Sequence, residues 1–255
     1  MLTAEPFKIS YGESIISHRF NHWDERSMDL KINEILDLKV DKDFSKVYDE
    51  YCNHCKTNDI EYSMTRVSTD NKQAISFLQK KGFYSVETIY EVNCRVNNLQ
   101  NLYHKEIRGK SITKHCDIED LCHLSSQMFN HGRFTEDPNI GKALGDKRYF
   151  NFSRDLYKGN FDRMFIFSKK QLIGFMFYDM KEKHTELILG GMSQKYPHLA
   201  RAFWSKVFLE LPQNNIITAT ISGTNIGVMN LYSHLGFNFG KARFGYHKKW
   251  RKNES

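Results

Sequence analysis

The chain has 255 residues, 40% of them hydrophobic and 26% charged, with a formal net charge of +7. That length suits two small domains of about 100 to 150 residues each. No apolar run approaches the roughly 18 residues of a membrane span, and the opening MLTAEPFKISYGE lacks the basic start and apolar core of a signal peptide, so a cytoplasmic protein without membrane insertion is expected.

In chain order, the stretch SMDLKINEILDL (27–38) reads as a strand pair, and residues 43–56 carry a helical pattern that contains Cys52 and Cys55. This single C-x-x-C has no second ligand pair at metal spacing. It is read as buried or incidental thiols, and no metal is expected. Five cysteines, an odd number, argue against a disulfide framework and for reduced thiols. EYSMTRVST then reads as a strand, DNKQAISFLQKKGF as a helix between Asn71 and Gly82, and YSVETIYEVNCRV as another strand. Residues 97–109 lose periodicity and read as a linker.

Beyond the linker a strand is expected over 111–115 and a helix over 118–129, followed by the irregular polar stretch NHGRFTEDPNIGKALG and a helix over 147–158. Strands at 164–168 and 171–179 meet in a tight turn at Lys169 and Lys170. A strand over 185–192 leads to a helix over 198–211, whose core stripe is Leu199, Phe203, Val207 and Leu211. The end of the chain repeats the first half. At one constant offset NIITATISG lies under EYSMTRVST, Asn225 under Asn71, Gly236 under Gly82 and Tyr232 under Leu78. The expected fold is α/β with a mixed sheet, built as two tandem repeats over 1–96 and 110–255 and joined by the linker 97–109.

Three features carry candidate chemistry. Gly190-Gly191 interrupts a strand, marking a bulge or close backbone approach by a ligand, or else simply easing packing. Tyr232 is a proton donor or a core tyrosine; Leu78 cannot donate a proton. The segment HGRFTEDP is a ligand-binding loop or a helix-terminating loop with an Arg-Asp surface pair. The basic excess favours anionic partners such as nucleic acid, phosphate esters or coenzyme A. The lysines are dispersed, however, and the terminal HKKWRK reads as a solvated tail, so no nucleic-acid partner is expected.

The order strand, helix, strand, with Asn225, Val228, Leu231, Tyr232, Gly236 and Phe237 across the last helix, resembles the GNAT family of acyl-CoA N-acyltransferases. The resemblance implies two GNAT-like domains, the first degenerate and the second catalytic, with acyl-CoA as co-substrate and no tightly bound cofactor. It places the thioester at the backbone of Gly190, Gly191 and Met192, the coenzyme A pyrophosphate at Leu199 and Ala200, and the rest of coenzyme A along Asn225, Val228 and Tyr232. Tyr232 becomes the acid that protonates the departing thiolate. The family's loop glycines are absent, because SQKYPHLARAF carries Pro197 and Leu199 at those places. Arg133, Phe134, Asp137 and Tyr149 resemble the acceptor segment of the TDP-fucosamine acetyltransferase branch. That implies a dTDP-linked deoxyamino sugar as acceptor and a place in O-antigen or cell-surface polysaccharide biosynthesis. Alternatives are another amine, such as a polyamine, an aminoglycoside or a protein lysine, and a non-catalytic binding protein. His184, Glu186 and His234 offer no clear general base.

Overall fold

A computed structural model describes residues 5–250. In chain order the elements are β1 (Phe7–Tyr11), β2 (Ser14–Phe20), α1 (His22–Met28), β3 (Ile32–Lys39), α2 (Phe44–Thr57), β4 (Tyr62–Ser68), α3 (Lys72–Lys80) and β5 (Tyr84–Arg95). There follow β6 (Lys110–Thr113), α4 (Ile118–Met128), α5 (Lys142–Lys158), β7 (Asp162–Ser168), β8 (Gln171–Met180) and β9 (His184–Met192). A 3-10 turn (Pro197–Leu199) runs into α6 (Ala200–Leu209), and β10 (Ile216–Ser222), α7 (Ile226–His234) and β11 (Asn238–Lys249) complete the chain. No helix among the described residues is long and apolar enough to cross a membrane.

The chain divides into two compact units, and the division does not coincide with the expected cut at 97–109. The first unit runs to Thr88 and adds Glu136–Gly141 and the chain from Ala242 on; the second holds Ile89–Thr135 and Lys142–Lys241. Each is a mixed sheet. In the first, β1, β2 and β3 are antiparallel neighbours, β3 and β4 are parallel, and the Arg243-to-Lys249 part of β11 closes on β4 antiparallel. In the second, β6, β7, β8 and β9 are antiparallel neighbours, β9 and β10 are parallel, and the Ile89-to-Arg95 part of β5 closes on β10. The last strand of each sequence half is thus shared with the other unit.

The repeated Asn-to-Gly-Phe segment has a structural cause. Asn71 and Asn225 are N-caps, their side-chain oxygens accepting the N–H of Ala74 at 3.1 Å and of Val228 at 3.2 Å. Gly82 and Gly236 end the helices with φ of 81° and 85°. That left-handed geometry favours glycine. The N–H of Phe83 reaches back to the Leu78 carbonyl and that of Phe237 to the Tyr232 carbonyl, both at 3.0 Å. Both phenylalanines are buried, each in its own unit's core.

Several expectations need correction. Residues 27–38 form the end of α1 and one strand, β3, rather than a strand pair; Asp29 stops the helix in the left-handed conformation at φ 59°. α5 begins at Lys142, five residues before its expected start at Lys147. Gly145, which obscured the pattern, is buried where a Cβ would come within 2.7 Å of Thr135. The stretch 97–109 is not a free linker. The Tyr103 N–H donates to Ser205 Oγ at 2.9 Å on α6, and the Asn101 amide donates to the His234 carbonyl at 2.9 Å on α7.

The terminal basic cluster is likewise no solvated tail up to residue 250. His247 is buried in β11, Lys248 donates to Tyr48 Oη at 3.1 Å, and the Trp250 indole donates to Ser63 Oγ at 2.8 Å. Arg251 and Lys252 lie outside the described residues. In the first unit Cys55 is buried, and burial pushes its thiol up to about 11.

Candidate functional site

In the second unit the parallel β9–β10 ladder runs only from His184 against Ile216 to Leu187 against Ala219. Both strands continue apart: β10 stays on β5 through Ser222, while β9 stays on β8 through Met192. The parting has a local cause. Opposite β8 the register steps from Leu187 to Leu189, so Ile188 is an extra residue. Such a bulge adds twist and bends the strand. From Ile188 on, the edge of β9 that faced β10 has no ladder partner among the described residues, which is the arrangement an extended amide-bearing ligand can complete as an added strand.

Gly190 and Gly191 lie in this released segment. A Cβ at Gly190 would meet Met176 Sδ at 2.5 Å, and one at Gly191 would meet Met128 Cε at 2.6 Å and Phe129 Cζ at 3.4 Å. Both short contacts are with the ends of flexible methionine side chains from β8 and α4, which can shift, so packing alone does not require glycine at either place.

Phe129 leads to further expected residues. Its ring stacks on Tyr149 with centroids 4.5 Å apart, and His131, two residues on, lies with Nδ1 3.1 Å from Thr224 Oγ1. Thr224 is in turn 2.8 Å from Ser222 Oγ at the end of β10. Phe129, His131 and Thr224 thus join the two ends of the open cleft. Sequence reasoning did not single them out: His131 and Thr224 are separated by 93 residues and meet only through the fold. The signal available was an aromatic and a histidine directly after the α4 pattern.

Met192, Leu199, Ala200, Val228 and Tyr232 pack in one cluster of α6, α7 and the sheet. Tyr232 is 4% exposed, meets Phe237 edge-on at 4.6 Å, and accepts a hydrogen bond from the Trp204 indole at 3.4 Å. Burial pushes its hydroxyl up to about 12, opposed by the Trp204 bond, so near neutral pH it is an undissociated O–H. The first helical turn at Leu199 and Ala200 has no side-chain cap, which leaves its N–H groups to other acceptors.

The expected acceptor segment is divided. Phe134 is only 3% exposed, with the Arg133 and Arg148 guanidinium carbons 4.9 and 4.3 Å from its ring centroid. It is a core ring gripped by cations rather than an open stacking platform. Asp137 belongs to the first unit, where its buried carboxylate receives His247 Nδ1 at 2.7 Å and the Tyr84 hydroxyl at 3.0 Å. Burial works against its charge. The bonds from His247, the Asn139 N–H and Tyr84 outweigh that and hold the carboxyl below its ordinary value.

The first unit repeats the cleft without the same furniture. Its β3–β4 ladder stops at Ile35 against Thr65, and the β2–β3 register leaves Leu36 as the extra residue. After β3 come Asp41 and Asp43, where the second unit has Ser193 to Tyr196 with Lys195. Lys42 lies between these carboxylates and Asp43 pairs with Lys46 at 2.8 Å, so the stretch is mixed in charge.

No family model and no curated protein matches the sequence. Solved structures do match its fold. A conserved protein of unknown function from Staphylococcus epidermidis aligns with TM-score 0.69 at 10% identity over 96% of this chain and 94% of its own. A GCN5-related glucosamine N-acetyltransferase region of a fungal multi-domain β-N-acetylglucosaminidase aligns with TM-score 0.61 at 10% identity over 91% of this chain and 31% of its own. A tandem GNAT protein from the clavulanic acid biosynthesis pathway aligns with TM-score 0.59 at 8% identity over 94% of this chain and 80% of its own. The fold is that of the GCN5-related N-acetyltransferases in tandem form.

Proposed function

We propose that the protein is an N-acyltransferase that moves an acyl group from acyl-CoA to an amine, with the reaction in the second unit. The observation that carries the reading is the coincidence of the Ile188 bulge with the end of the β9–β10 ladder, which leaves backbone donors and acceptors on a concave edge. The amides of a pantetheine arm can complete that edge, and a β9 N–H can polarise the thioester carbonyl where negative charge develops. The amine nitrogen attacks the carbonyl carbon, the C–N bond forms, and the C–S bond breaks. One proton leaves the amine and one reaches the thiolate. His131, held at the cleft mouth by Thr224, takes the first, and the undissociated Tyr232 hydroxyl gives the second.

For the acceptor we propose a deoxyamino sugar carried on a nucleotide such as dTDP. Arg133 and Arg148 supply charge for a diphosphate, and the Phe129–Tyr149 stack supplies an apolar wall for a sugar ring. The glucosamine acceptor of a protein sharing the fold supports an amino sugar. Asp137 is left out of the acceptor site, since its oxygens are engaged by His247 and Tyr84. The test is a mass-spectrometric screen of acyl-CoAs against dTDP- and UDP-amino sugars, polyamines and aminoglycosides. An N-acylated sugar nucleotide with release of one thiol per product is expected. Product from the simple amines alone moves the acceptor assignment, and no product with any pair removes the enzymatic reading.

A further inference from the structure

At the mouth of the cleft a run of polar contacts links His131 to the end of β10. His131 Nδ1 lies 3.1 Å from Thr224 Oγ1, and Thr224 Oγ1 lies 2.8 Å from Ser222 Oγ, which also accepts the Thr224 N–H at 3.3 Å. Ser222 ends β10, and Thr224 stands directly before the Asn225 cap of α7. The turn between them is common to both units: the Asn225 N–H donates to the Ser222 carbonyl and the Asn71 N–H to the Ser68 carbonyl, each at 3.1 Å. The first unit carries Asp70 at the place of Thr224. The turn is therefore a feature of the fold, and a threonine hydroxyl is not needed to make it.

A neutral imidazole carries its proton on one nitrogen, and the hydrogen bond made by the other nitrogen decides which. Each hydroxyl has one proton to give, so the chain can be filled in two ways. In the first, Ser222 donates to Thr224 and Thr224 donates to Nδ1, which puts the ring proton on Nε2. In the second, Thr224 donates to Ser222 and accepts the Nδ1 proton, which puts the lone pair on Nε2. The second lets Nε2 gain a proton with no hydroxyl turning, because Nδ1–H donates to Thr224 in the neutral and the charged ring alike. The first admits a proton only at Nδ1, after both hydroxyls have reversed. A base whose surroundings need no reorganisation as charge develops is the better catalyst.

We propose that Thr224, braced by Ser222, is a positioning residue that fixes His131 as the Nδ1–H tautomer and leaves Nε2 as the proton acceptor. This rests on the reading of His131 as the group that takes the amine proton. One proton passes from the amine to Nε2 as the C–N bond forms, and the two hydroxyls keep theirs throughout.

NMR separates the tautomer from the reaction. The full chain is prepared with isotope-labelled histidine, and the ring-nitrogen signals of His131, identified by their loss in His131→Gln, are compared in wild type, Thr224→Val, Thr224→Ser and Ser222→Ala. Thr224 is exposed and Ser222 half-buried, so these changes leave the core untouched. Wild type and Thr224→Ser should show a protonated Nδ1 and an unprotonated Nε2. Thr224→Val and Ser222→Ala should move the proton to Nε2, the one by removing the acceptor and the other by letting the Thr224 hydroxyl donate to Nδ1. With an acyl-CoA and amine that turn over, Thr224→Val should lower kcat by about tenfold or more at an unchanged KM for acyl-CoA, and Thr224→Ser should restore it. A proton on Nε2 in wild type, a tautomer that Thr224→Val or Ser222→Ala leaves in place, or a full rate in Thr224→Val once the tautomer has moved overturns the proposal. Absence of turnover by wild type with every pair removes the enzymatic reading, and the NMR signals still decide the tautomer.

Discussion

Leu78 and Tyr232 hold the same place in two copies of one helix ending: the carbonyl of each accepts the N–H of the phenylalanine five residues on, at 3.0 Å. Their backbones do identical work, so the difference between the units at this point is one side chain, and only Tyr232 carries a hydroxyl. Tyr232→Phe keeps the ring that packs against Phe237 and loses only the bond from Trp204. Substrate binding should be unchanged and single-turnover rate should fall by about 10²-fold, the lower end for general-acid catalysis of a reactive thioester. A rate equal to wild type at saturating substrates makes Tyr232 a packing residue.

His131→Ala should lower turnover by a similar factor of about 10² with little change in KM for acyl-CoA. Added imidazole should restore part of the rate, because a small base can enter the space left by the side chain. A loss that imidazole does not repair assigns His131 to holding Thr224 in place at 3.1 Å.

The two helix caps should behave alike, since their role is structural. Asn71→Ala and Asn225→Ala should each destabilise by about 1 kcal/mol in denaturant titration. Gly82→Ala and Gly236→Ala both place a side chain at positive φ, at a cost of about 1–2 kcal/mol. Gly236→Ala should cost more. A Cβ there would come within 3.1 Å of Gln100 and 3.3 Å of the Asn98 carbonyl, whereas Gly82 faces open space. A larger loss at Gly82 contradicts this packing.

Acid should unfold the first unit through Asp137. Its carboxyl is held below its ordinary value, so the stability it contributes is complete above that ordinary value and fades as pH falls through the lower folded-state value. Asp137→Asn removes the buried partner of His247, both side chains being 0% exposed, and should cost about 3 kcal/mol at neutral pH. Below pH 3 the gap between variant and wild type should narrow. A constant gap from neutral pH to pH 2 excludes the charged pair as the cause.

Much of the fold was legible because its punctuation is local. An asparagine N-cap, an apolar helix and a glycine at positive φ write themselves into the sequence at fixed spacing, and they did so twice. Gly190 and Gly191 read as a bulge in the sequence, yet the extra residue is Ile188, two positions before them, and only the β8 register shows it. What stayed hidden depends on tertiary pairing. Nothing in NFGKARFGYHKKW tells that its Arg243-to-Lys249 part pairs with β4. Phe134 reads as an aromatic available to a ligand until two arginines are found on its buried ring. Asp137, taken as part of the same segment, is claimed by a histidine 110 residues away.

Acyl-CoA is proposed to lie along the β9 edge released after Ile188, in the second unit alone. A crystal structure of the full chain with coenzyme A tests it most directly. The pantetheine arm should lie beside residues 188–192, hydrogen-bonded to that backbone, with the matching edge beyond Leu36 empty. An arm lodged beside Leu36 and Leu78, or coenzyme A bound away from both parted strands, would contradict it.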